Sequence, residues 1–316
     1  MNICLQNIIT FLSDSNDKMY TEKQIESLFG AKALEYLKNK NTGGTSSNKG
    51  IKYEDIFAVY QLALLSKCVI ESNQEIDILS QCFAFVDDLV IDCKTEAVLR
   101  HYQLKNSSNV IWGDGEKTIR DDFHKQYTLN QAISKESEIY LVVSSQELRE
   151  KLNKSIPNDI KNYSKVLYFC YDNSLPRIID KEPDFRRSIE YLCAFDNPDP
   201  DKLECVASVL LGAWRASDKS IASVIDILRK AQEFIPSYIR SFQTGLDLDP
   251  EVKKILNNVD SFTYKISRGF LCWKFQDGLE EGILSYSIET ERFQKFQELI
   301  KKNRPTCFEE LEVFLI

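Results

Sequence analysis

The chain has 316 residues, 43% of them hydrophobic and 28% charged, with a formal net charge of -8. That length suffices for two domains, or one large domain with an appendage, and the composition is that of an ordinary soluble globular protein. A free-standing nucleic-acid binder is usually basic, because phosphate contacts supply most of the affinity. This chain therefore binds no nucleic acid, binds it through a local patch, or relies on a partner for grip.

In chain order, residues 1–38 read as helical. Thr21 followed by Gln24 fits a capping box ahead of an apolar-periodic run, IESLFGAKALEYL. NKNTGGTSSNKG (39–50) is a Gly/Ser/Asn linker or mobile loop, and IKYEDIFAVYQLALLSKCVI (51–70) is a strongly apolar helix. FAFVDDLVIDCK and AVLRHYQLKNS read as strands, and the stretch from about Glu116 to Gln131 has helical spacing. IYLVVSS and KVLYFCYD are short β-branched and aromatic runs, suited to buried strands.

All eight prolines lie from Pro157 onward, which suggests a boundary near 157–183. Helices follow: FRRSIEYLCAF, an Asp201-capped KLECVASVLLGAW, and SIASVIDILRKAQEF ended by Pro236. SFTYKISRGFLCWKFQDG with GILSYSI predicts a β-hairpin, and two helices close the chain. Its Tyr264, Lys265, Arg268, Trp273 and Lys274 mix basic and aromatic character, with a plain structural hairpin as the default reading.

The order of elements predicts an α/β fold with a mainly helical C-terminal region. We divide it into an N-terminal helical segment (1–42), an α/β domain (43–175) and a mainly helical partner-docking domain (176–316). The nine cysteines form no CxxC pair, which argues for reduced thiols in a cytoplasmic setting and against a disulfide framework or zinc site. With His101 and His124 the only histidines, a His-rich metal site is excluded. No apolar run reaches a membrane span of about 20 residues, and the N-terminal stretch predicts no signal peptide.

The stretch DDLVIDCKTEAVLRHYQLKNSS (87–108) carries the chemistry. Folded as an antiparallel hairpin with Thr95-Glu96 at a two-residue loop, it pairs Asp92 with Leu99, Val90 with His101 and Asp88 with Gln103. One face then holds Leu89, Ile91, Cys93, Val98, Tyr102 and Leu104. The other holds Asp88, His101, Gln103 and Lys105. A carboxylate, an amide and an amine side by side can serve phosphodiester hydrolysis, which needs hard oxygen ligands for a divalent cation and a group that stabilises charge. In that reading Asp88, the Gln103 side-chain carbonyl and the Leu104 backbone carbonyl hold Mg²⁺ or Mn²⁺, Glu54 adds a carboxylate, and Lys105 sits by the phosphate. The bland alternative for Asp88 and Lys105 is an exposed cross-strand ion pair, worth at most about 1 kcal/mol. Glu54 also suits its helix's first turn on dipole grounds alone.

Asp87 should lie at a strand end as a turn or capping residue. His101 reads as a solvated or substrate-contacting histidine. Asn106, Ser107, Trp112, Lys117 and Arg120 follow the motif and are candidates for contact with nucleic acid, although packing into the core is the more ordinary fate of Trp112.

The pattern GG-x5-G-x2-YE from Gly43 to Glu54, DD-x-V from Asp87 to Val90 and YQLK from Tyr102 to Lys105 resembles the N-terminal nuclease domain of bacterial anti-phage effectors. These are PD-(D/E)xK endonucleases of the kind found in CBASS effectors and in the nuclease subunit of Lamassu-type SMC-like systems. The resemblance covers roughly residues 43–172. It implies a restriction-endonuclease-like core, metal-dependent DNA cleavage, and catalytic positions Asp88, Gln103 and Lys105 with Glu54 in support. Small residues at 45–48 replace a basic pair often seen there, and no nucleotide-sensing domain is legible in 173–316. That favours a subunit activated by protein partners, such as an SMC-like ATPase, or by homo-oligomerisation. The competing expectation is a non-catalytic adaptor with a degenerate nuclease fold.

Overall fold

A computed structural model describes residues 19–42, 48–220, 222–243 and 245–315. The predicted Gly43-Gly44 lead-in and the helical reading of residues 1–18 lie outside them. The chain divides into two compact units. The first comprises residues 1–51, 77–168 and 218–222, and the second 52–76, 169–217 and 223–316.

The first unit begins with helices α1 (Glu22–Phe29) and α2 (Ala31–Thr42). The predicted capping box starts α1: the Thr21 hydroxyl accepts from the Gln24 amide, and the Gln24 side chain accepts from the Thr21 amide at 2.8 Å. Helix α3 (Asn48–Glu71) passes from the first unit into the second at residue 52.

The sheet strands are β1 (Ile76–Leu79), β2 (Leu89–Cys93), β3 (Val98–Lys105), β4 (Glu136–Val143), β5 (Ser164–Tyr168) and β6 (Ala222–Ser223), ordered β5-β4-β3-β2-β1-β6. Strands β2 and β3 are antiparallel. Helix α4 (Ile119–Ala132) then links β3 to β4, which lies parallel to it, and β5 is parallel to β4. The fold is thus α/β, a mixed six-stranded sheet flanked by helices.

The β2–β3 register is the predicted one, with Asp92 opposite Leu99 and Val90 opposite His101. The loop differs. The last pair is Cys93 with Val98, and Lys94–Ala97 form a four-residue turn in which Ala97 takes a positive φ. The predicted strand FAFVDDLVIDCK is also shorter than expected, because residues 83–88 are irregular. Most of their backbone bonds go to side chains, while the Asp87 carbonyl accepts from the Gln81 amide and the Ala84 amide donates to the Cys82 carbonyl, each at 2.8 Å. Strand β1, an IDIL run, was not predicted as a separate strand.

Trp112, Phe123, Ile139, Leu141 and Val143 form the core beneath β4, while Tyr20, Ile25, Leu37, Phe85 and Leu129 fill a second cluster. Toward their C-terminal ends β3 and β4 are buried on both faces, so the polar face predicted for β3 is largely buried.

The second unit is mainly helical. Helix α5 (Gln146–Lys154) completes the first unit, and α6 (Leu175–Lys181), α7 (Pro183–Leu192), α8 (Pro200–Arg215) and α9 (Val224–Gln232) belong to the second. Asp199 holds the N-cap position of helix α8, two residues before the predicted Asp201, without a side-chain capping bond, and Pro200 opens the first turn. Asp55 is buried within this unit, accepting from Trp214 Nε1 at 3.0 Å and from Arg215 Nε at 2.9 Å. The remaining elements are α10 (Pro250–Leu256), β7 (Phe262–Ser267), β8 (Phe270–Phe275), β9 (Glu280–Ile283), α11 (Glu291–Asn303) and α12 (Phe308–Glu312). The predicted hairpin is present as β7–β8, with Arg268 and Gly269 both at positive φ in its two-residue turn, and β9 adds a third strand. Lys265 and Lys274 are paired with Asp196 and Glu281. Among the described residues no helix is long and apolar enough to cross a membrane.

Candidate active site at the β2–β3 junction

The irregular stretch before β2 is held by four side chains. Gln126, fully buried on α4, accepts from the Phe85 amide at 2.9 Å and the Val86 amide at 3.3 Å through one oxygen. His101 Nδ1 donates to the Val86 carbonyl at 2.9 Å, and Lys40 donates to the Phe85 carbonyl. The Ser80 hydroxyl donates to the Asp88 carbonyl, also at 2.9 Å. With its backbone fixed in this way, the stretch delivers Asp87 and Asp88 to the start of β2.

Asp88 and Gln103 meet as the register predicts. Gln103 Nε2 donates to Asp88 Oδ2, and the Leu104 amide donates to the same oxygen at 2.6 Å. Asp88 Oδ1 has no hydrogen bond among the described residues. Lys105 is two residues along β3 from Gln103, half-buried, with no hydrogen bond or ion pair among the described residues. This is not the Asp88–Lys105 ion pair of the bland reading. Glu54, on α3, belongs to the second unit.

Lys40 is the feature that sequence reasoning missed. Its ammonium lies 3.0 Å from Asp122 Oδ2, 3.6 Å from Asp87 Oδ1 and 3.5 Å from Gln103 Oε1. Burial alone would depress its pKa, but Asp87 and Asp122 outweigh that and raise it. Burial pushes the Asp87 carboxyl up, Lys40 opposes, and Asp88 and Asp122 add to the rise. Asp122 is raised for the same first reason. Tyr36 donates to Asp122 at 3.2 Å, closing the cluster. Asp87 is therefore a buried member of an ionic cluster and not a turn residue.

His101 corrects the expectation of a solvated or substrate-contacting histidine: it is 0% exposed. Its Nε2 faces Tyr20 Oη and Gln126 Nε2, each at 3.4 Å. Gln126 also donates to Tyr20 Oη at 3.0 Å and to Asn130 Oδ1 at 2.9 Å, and Tyr20 donates to Asn130. Burial pushes the imidazole down to about 4, so it is neutral near pH 7, with the Nδ1 proton on Val86. Its covering by Tyr20 and α4, remote in sequence, left no local signal.

Two of the candidates for nucleic-acid contact are engaged within the chain. Trp112 is buried, donates through Nε1 to the Leu152 carbonyl at 3.0 Å and packs edge-on to Phe123. Arg120 is committed to Asp114 at 2.7 Å and Asp159 at 3.0 Å. Asn106 accepts from Ser144 at 2.7 Å. Ser107 is exposed, as is Lys117, whose Nζ lies 5.5 Å from the centre of the Tyr36 ring.

These residues fit a hard divalent cation in part. Asp88 Oδ1 is an open carboxylate oxygen, but Gln103 turns its N–H to Asp88 and its carbonyl to Lys40. The Leu104 contact to Asp88 is made by its amide, a donor, whereas the predicted ligand is its carbonyl. Among the described residues no three Asp, Glu, His or Cys side chains are grouped to hold a metal. Comparison with protein-family models, with curated proteins and with solved structures finds no match.

Proposed function

We propose that the chain is a metal-dependent DNA endonuclease, acting as the nuclease subunit of a bacterial anti-phage complex and built on a restriction-endonuclease-like core. The observation that carries this reading is the Asp88–Gln103 pair across β2 and β3, with the uncommitted Lys105 amine two residues further on. Asp88 Oδ1, the Gln103 carbonyl once its amide has turned and the Leu104 carbonyl are the proposed ligands of Mg²⁺ or Mn²⁺. When bound, the cation polarises the phosphoryl oxygen and lowers the pKa of the attacking water. Lys105 places a compact cation beside the phosphate, where negative charge develops. Asn106, Ser107 and Lys117 remain candidates for the DNA backbone.

The net charge of -8 supports weak intrinsic affinity for DNA, with grip supplied by a cytoplasmic partner such as an SMC-like ATPase, or by self-association. A second reading, a non-catalytic adaptor with a degenerate site, is favoured by one observation: the Gln103 amide and Asp88 already satisfy each other without a cation. Plasmid cleavage with Mg²⁺ or Mn²⁺ separates the two readings, comparing wild type with Lys105→Ala, expressed alone and with the genomic neighbours. Metal-dependent cleavage lost in the variant supports the nuclease. Its absence throughout, with folding and assembly intact, supports the adaptor.

A further inference from the structure

Lys40 commits Gln103 to one orientation. Its ammonium is 3.5 Å from Gln103 Oε1, while Gln103 Nε2 donates to Asp88 Oδ2. An amide with a cation at its oxygen and a carboxylate at its nitrogen is satisfied at both ends. Turning it over would set N–H against ammonium and carbonyl against carboxylate. Lys40 also meets oxygens of Asp87, Asp122 and Phe85, and its side chain is 21% exposed. The ammonium thus occupies an oxygen-lined position of the kind that suits a small hard cation.

We propose that Lys40 is a built-in cation that holds the Asp88–Gln103 centre closed, and that a divalent cation binds there only when Lys40 withdraws and Gln103 turns its carbonyl to Asp88. This rests on reading Asp88 and Gln103 as cation ligands. Lys40 lies in the last turn of α2, so its withdrawal requires movement of a helix end and leaves the sheet intact. Withdrawal strips Asp87 and Asp122 of their shared counter-charge. Each is buried and has an Oδ1 without a hydrogen-bond partner. An arriving cation restores that charge balance, so lysine and metal compete for one centre, each weakening the other's hold.

The test is isothermal titration of Mn²⁺ into the full chain: wild type, Lys40→Met, and Lys40→Met/Asp122→Asn, each with and without Asp88→Asn. Lys40→Met is expected to tighten Mn²⁺ binding about tenfold, and Asp88→Asn to remove the gain. The double variant keeps the buried charges balanced, should Lys40→Met alone not fold, and is expected to tighten binding several-fold. Unchanged or weaker binding in the folded variants overturns the proposal, as does absence of Mn²⁺ binding from all of them. Asp88-dependent binding released by Lys40→Met, without plasmid cleavage in any context, would keep the latch and sink the nuclease. Cleavage by the wild type with Mn²⁺ affinity indifferent to Lys40 would do the reverse.

Discussion

Gln103 donates its side-chain N–H to Asp88 across the β2–β3 pair, and the Leu104 amide joins it on the same carboxylate oxygen. The two residues are 15 apart in sequence, and the antiparallel register from Leu89–Tyr102 onward, with the side-chain bonds that fix residues 85–88, brings them face to face. Everything proposed for the chemistry of this chain turns on that contact and on what lies around it.

Lys105 offers the cleanest separation of function from stability. Its amine is half-buried and makes no bond among the described residues, so Lys105→Ala should change stability by less than about 0.5 kcal/mol. Loss of a charge-stabilising group at a reacting phosphate should lower cleavage by roughly 100-fold or more. Urea melts and plasmid cleavage on the same preparations measure both. A stable variant with full cleavage would remove Lys105 from the centre.

His101 makes the opposite prediction. Replacing it by Ala leaves the Val86 carbonyl unpaired and opens a cavity beside Tyr20 and Gln126. We expect a loss of about 2–4 kcal/mol in chemical denaturation. A variant as stable as wild type would show that the imidazole is dispensable to the network.

Two buried groups pull the pH dependence of stability in opposite directions. His101 is pushed down to about 4 by burial, while an unfolded histidine titrates near roughly 6.5. The unfolded chain therefore takes up the proton first, and stability falls as pH drops from about 6.5 to about 4. Asp87 is pushed up to about 7, chiefly by burial, against roughly 3.9 unfolded. Here the folded chain takes up the proton first, and stability rises as pH drops through that window. Asp87→Asn removes only the second effect. The variant should therefore lose stability relative to wild type as pH is lowered from 7.5 to about 4.5. Urea denaturation of both proteins across this range checks it, and a stability difference independent of pH would contradict the assignment.

Trp112→Phe tests whether this indole meets DNA or only the core. Loss of the bond to Leu152 and of ring volume against Phe123 should cost about 1–2 kcal/mol. DNA affinity of the active assembly should not change. A drop in affinity without a drop in stability would reverse the reading.

Much of this architecture was legible in the residues themselves. Alternation of apolar and polar positions along β2 and β3, with a polar break between them, specified which residues face one another, because a one-residue slip would turn every side chain over. Thr21 and Gln24 marked the start of α1 because capping is chemistry between residues three apart. Residues 83–88 were misread as strand because the amides and carbonyls of Phe85 and Val86 are satisfied by Gln126, His101 and Lys40, and no local pattern reports such partners.

The sequence by itself determined the pairing of Asp88 with Gln103, the position of Lys105 two residues along the same strand and most of the helices and strands, though not β1, β6 or β9, since these rest on the periods of the backbone and on turn and cap chemistry. Only the tertiary structure decided that His101 is buried and neutral, that Trp112 belongs to the core and that Lys40 reaches the centre. A lysine near a helix C-terminus reads locally as a complement to the helix dipole. Its role here depends on Asp122, 82 residues further along the chain. Burial and charge compensation are properties of whatever packs around a group, and the neighbours that bury His101 and pair with Lys40 come from distant segments brought together by the fold.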